Sequence, residues 1–136
     1  MPNMSWTRLL LAALAGGIAA SMTDWLFMGD WLYKRYDKYP EIWRVSAHNE
    51  VKAIFLASLL PLLTCAAFAV TCSWLHLHSF SAELLLAIAV WTIAVIPLTI
   101  ANTLFMKLTP AIALSHAVGW FAKLAIAAAA TAFIVR

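Results

Sequence analysis

From Leu84 to Met106 the chain carries no charged side chain, and three other stretches, 9–29, 51–75 and 111–135, come close to the same condition. A helix that crosses the hydrocarbon core of a bilayer needs roughly 20 consecutive, mainly apolar residues. Each of the four stretches meets that length, and together they use up most of the 136 residues. The composition agrees, since 65% of the residues are hydrophobic and only 11% charged, whereas about a quarter are charged in soluble domains. We therefore expect an all-α fold: an integral membrane four-helix bundle forming one transmembrane domain, 1–136, with one longer polar and aromatic interfacial loop. A chain so constituted has no room for a soluble catalytic or DNA-binding domain. Its net charge of +3 points to anionic lipid headgroups rather than nucleic acid, because the cations cluster beside the spans.

The stretch 24–52, which contains the longer loop, holds Tyr33, Tyr36 and Tyr39 and five of the six acids. Between Asp30 and Val45 aromatic and charged residues alternate, and Pro40 prevents one helix from running through. Such a segment belongs at the headgroup level. It reads either as an interfacial anchor or as a lid over a polar pocket. Ser46 is placed to cap the second helix, with Asn49 and Glu50 in its first turn. The first span carries two rows of small residues, Ala12/Gly16/Ala20 and Ala13/Gly17/Ser21, which allow close helix contact in lipid. The alanine-rich end of the fourth span is the expected neighbour. Cys65 and Cys72 lie about 10 Å apart along one helix face, too far to bridge. The turn from His76 to Glu83 reads as a surface loop, and His76 and His78 lack the further acids or cysteines a metal site would use.

Basic residues set the orientation. Lys34, Arg35, Lys38, Arg44, Lys52 and Lys107 flank the first and third connections, against Arg8 and Arg136 on the other side. Positive-inside places those two connections in the cytoplasm and both termini outside. Asp24, His48, Asn49, Glu50, Asn102 and His116 then all fall in the cytoplasmic half. His116, Trp120 and Lys123 share one stripe of the fourth helix. Ionisable groups in a bilayer are costly and usually face the bundle interior or a wet cavity, so one cluster is expected. Lys123, near mid-membrane, is offset from Asp24 by roughly 10 Å along the axis; its long side chain can snorkel toward that acid, or a partner subunit can supply the counter-ion.

The first span ends GGIAASMTDWLFMG, the third reads WTIAVIPLTIANTLF and the fourth contains AVGWFAKLAI. This pattern resembles the small bacterial membrane proteins of domain-of-unknown-function family 1761. The matching positions are Trp91, Pro97, Asn102, Leu104, Phe105 and Gly119, while Asp24 and Lys123 fall outside the pattern. The resemblance implies a four-helix protein of the bacterial inner (plasma) membrane and carries over no mechanism.

Two functions fit these residues. The one adopted is a non-enzymatic membrane module that binds a small or amphipathic ligand, or a partner helix, at a cluster of Asp24, Tyr33, His48, Asn49, Glu50, Asn102, His116, Trp120 and Lys123. The alternative is a small membrane enzyme acting on a lipid-soluble substrate, with Asp24, His48, Glu50 or His116 as acid and base and Lys123 as an electrostatic partner. Expected partners are membrane lipid and either a second copy or another membrane subunit. The sequence shows no nucleotide-binding loop, metal-ligand set or Ser/His/Asp set, and it identifies no cofactor.

Overall fold

The computed structural model describes residues 5–27, 47–106 and 109–135, with backbone alone at 47–50. The segment 30–45, read as anchor or lid, lies outside the described residues, as does Ser46. Four helices make up the bundle, and no strand occurs among the described residues. They are α1 (Trp6–Asp24), α2 (Ala47–Trp74), α3 (Phe80–Phe105) and α4 (Pro110–Ile134). Each is long and apolar enough to cross a membrane.

The boundaries differ from the sequence-based ones where capping decides them. α1 begins at Trp6 rather than residue 9, because the Ser5 hydroxyl accepts a hydrogen bond from the Arg8 N–H. α3 begins at Phe80 rather than residue 84, because the Ser79 hydroxyl accepts from the Ala82 N–H at 3.2 Å. In both places a serine inside a polar lead satisfies a first-turn donor and so starts the helix early. The second consequence is a correction: Glu83, expected in a surface loop, is helical and only 2% exposed.

α2 ends in a helix stop built on His76, whose φ of 53° is left-handed. The Leu77 N–H bonds the Cys72 carbonyl at 3.0 Å and the His76 N–H the Ser73 carbonyl at 3.3 Å. This pair of bonds is the Schellman arrangement, and its usual apolar contact is present, since Leu77 packs against the core that contains Cys72. At the α3–α4 connection Pro110 occupies the start of α4, where its missing N–H costs no helical bond.

α3 is not a uniform α-helix. Trp91–Val95 winds as a π-helix, with the Ile96 N–H bonded to the Trp91 carbonyl. Pro97 follows at once, and its ring lacks a donor and crowds the carbonyl four residues back. The wider π turn absorbs that misfit. The Thr99 hydroxyl then bonds the Val95 carbonyl of its own helix at 2.6 Å, which satisfies the hydroxyl.

α4 is the pivot of the bundle: 44% of its apolar window is buried, against 11% for α3. It packs on α1, α2 and α3, and α1 also packs closely on α2. The two adjacent glycines of α1 meet different surroundings. A Cβ at Gly16 would stand 2.9 Å from the Ala130 Cβ of α4 and 3.2 Å from the Cys65 sulfur of α2, whereas one at Gly17 would stand 2.8 Å from the Leu62 Cα of α2. The expected α1–α4 contact is present, but Gly16 makes it and Gly17 does not. The core cluster joins Ala20, Cys65, Phe68, Cys72, Ala87, Leu124, Ala127 and Ala128. Both cysteines are free and buried within it. α2 and α3 meet in this cluster near their connecting turn and diverge beyond it.

Candidate functional site

The divergence of α2 from α3 leaves a cavity of about 640 Å³, with α4 as its floor. That volume lies in the range of small-molecule sites. α2 contributes Phe68 and three small side chains, α3 lines its length from Leu86 to Met106, and α4 contributes Ala113, His116, Trp120 and Leu124.

Most of this lining is apolar or neutralised. Thr64, Thr71 and Thr99 turn their hydroxyls onto the Leu60, Ala67 and Val95 carbonyls of their own helices. Such back-bonding is how a threonine hydroxyl is satisfied in a helix interior. The cavity's polar character is therefore concentrated at Asn102 and His116, near the end of α3 and the start of α4.

Behind this wall lies the ion pair. The Lys123 Nζ sits 2.7 Å from the Asp24 Oδ2 and 4.1 Å from the centroid of the Trp120 ring. Trp120 is nearly one turn toward the N-terminus of α4, so the lysine stem runs back along its helix, the direction in which helical side chains lean. That lean closes the expected axial gap. Lys123 is 4% exposed, and its charge is met by one carboxylate oxygen and one aromatic face. The other oxygen of Asp24, Oδ1, is buried without a hydrogen-bond partner among the described residues.

Of the predicted site residues, the structure thus joins Asp24, Trp120 and Lys123 in one contact, and Asn102, His116 and Trp120 in the cavity wall. Trp120 belongs to both. His48, Asn49 and Glu50 lie in the first turn of α2, where only the backbone is described, and Tyr33 lies outside the described residues.

Two polar residues were missed from the sequence. Ser115 is fully buried and donates to the Phe27 carbonyl at 3.2 Å, tying the end of α1 to α4. A lone serine in an apolar span is the kind of interhelical link that could have flagged it. Glu83 was assigned to the turn, and the Ser79 cap that puts it on a helix was the available signal. Trp91, matched only through the resemblance, donates its Nε1–H to the Ala117 carbonyl at 2.7 Å and meets Phe121 edge to face at 5.5 Å. These contacts hold α3 on α4 beside the cavity.

No protein family, curated protein or solved structure matches the chain.

Proposed function

We propose that the protein is a non-enzymatic membrane module that takes a small amphipathic molecule from the lipid phase into the cleft between α2 and α3. The cavity itself carries this reading. It is of ligand size and mainly apolar, with two polar groups at one end, which is the usual build of a small-molecule site. In the orientation set by the basic residues, that polar end faces the cytoplasmic side of the bacterial inner membrane. Asp24 and Lys123 act in this reading as the buried tie that fixes α4 against α1 behind the cavity. Membership of family 1761 is part of the same proposal and rests on the six matched positions.

Native mass spectrometry on protein released from its own membrane tests the reading. The wild type is expected to carry a bound small molecule, and Ala67→Trp, which fills the cavity from α2, is expected to lose it while keeping its helical circular dichroism. A bound molecule retained in full by the folded Ala67→Trp protein, or none in the wild type, overturns it.

A further inference from the structure

The cavity is graded along its length. On α4 its lining runs from Ala113 to Leu124, about 16 Å of helix at 1.5 Å per residue. Asn102, Met106, Ala113 and His116 stand at one end, near the α3–α4 connection, and Leu86 and Leu124 at the other. Among the described residues that line it there is no lysine, arginine, aspartate or glutamate. The Asn102 side chain is half-buried and takes part in no hydrogen bond among the described residues. Its amide offers both a donor and an acceptor.

A tail gains little by moving from lipid into an apolar cleft, since acyl chains are as apolar as leucine. Selection must therefore come from the polar end. Among the described lining residues no carboxylate opposes a cationic head and only the His116 imidazole can meet an anionic one, so a neutral head is the least costly to bury there. A neutral hydroxyl can both donate to and accept from the Asn102 amide, which is otherwise unanswered in a medium poor in partners.

We infer that the occupant is a long-chain alcohol, with its hydroxyl at Asn102 and its tail directed toward Leu86 and Leu124. This rests on the proposed ligand-binding reading and adds to it the head chemistry and the direction of the chain.

Photolabelling of the full-length protein in lipid nanodiscs tests it. The probes are a long-chain alcohol with a diazirine at the tail tip, the same alcohol with the diazirine beside the head, and the matching hydrocarbon and carboxylic acid. The tail-tip alcohol is expected to label Leu86 or Leu124, and the head-proximal one Met106 or Ala113. The hydrocarbon and the acid should label the cavity about tenfold less, the effect of one hydrogen bond or a buried charge. Asn102→Leu should reduce alcohol labelling by about the same factor, and Asn102→Gln, which keeps the amide, should retain most of it. If Asn102→Leu does not fold, the probe comparison on the wild type decides alone. Equal labelling by hydrocarbon and alcohol, a preference for the acid, or reversed head and tail positions each overturn the inference while leaving a ligand-binding cleft. No cavity adduct from any probe, combined with no native ligand, removes both.

Discussion

The Lys123–Asp24 contact places a 2.7 Å ion pair deep in a bundle with few other polar groups. Breaking a buried pair by removing one partner leaves an uncompensated charge, while removing both can be nearly neutral. Asp24→Asn is therefore expected to lower stability by about 3 kcal/mol, and adding Lys123→Met should recover most of that loss. Unfolding in detergent, measured over the four members of the double-mutant cycle, checks this; simple additivity would show that the two residues do not act as a pair. His76 presents the opposite case, a residue whose backbone conformation is strained. A left-handed φ is disfavoured by its Cβ, and glycine relieves that strain at some cost in unfolded-state entropy. His76→Gly is expected to raise stability by about 0.5 to 1 kcal/mol. A lower melting temperature would mean that the imidazole makes a contact worth more than the strain.

At the scale of elements, α1 shows how two adjacent glycines come to differ. At Gly17 an added methyl meets the Leu62 backbone, which cannot move without shifting α2; at Gly16 it meets the Ala130 Cβ and, at 3.2 Å, the Cys65 sulfur. Gly17→Ala should thus be the more damaging change in thermal unfolding. Gly16→Ala should regain stability when combined with Ala130→Gly, and the same second change should do nothing for Gly17→Ala. Equal losses, or rescue of both, would show that Gly16 and Gly17 do not differ in what an added methyl meets. In α3 the π turn and Pro97 leave a helix that few neighbours support, and the Trp91 bond to the Ala117 carbonyl is one of its ties to α4. Trp91→Phe keeps an aromatic ring but removes the donor. Its cost should be about 1 kcal/mol, the scale of interhelical hydrogen bonds in membranes, with hydrogen exchange rising in α3 before α1.

For the whole molecule, a four-span topology with both termini on one side is the expectation to test, and the six-to-two division of basic residues predicts that side to be outside the cytoplasm. Alkaline phosphatase fused after Arg136 or in the His76 turn should be active, and fused at the 107–110 turn inactive. Activity that differs between Arg136 and the His76 turn would contradict four crossings. That four helices are long and apolar enough to cross a membrane was legible without coordinates because transfer of a segment into lipid is close to a sum over its own residues. Asp24, His116 and Lys123 were legible as well, since an ionisable group in an apolar run stands out whatever surrounds it. Capping moved the helix starts at Ser5 and Ser79, and with them the environment of Glu83, because one hydroxyl outweighed the local polarity by which the leads had been read. Tertiary structure alone decided that Gly17 faces α2, that the Lys123 stem reaches Asp24 past Trp120, and that α2 and α3 part to leave a cavity. These are choices between helix surfaces that lipid solvates almost equally well, so shape and interhelical hydrogen bonds settle them. Such pairwise terms leave little trace in the hydropathy of any one segment.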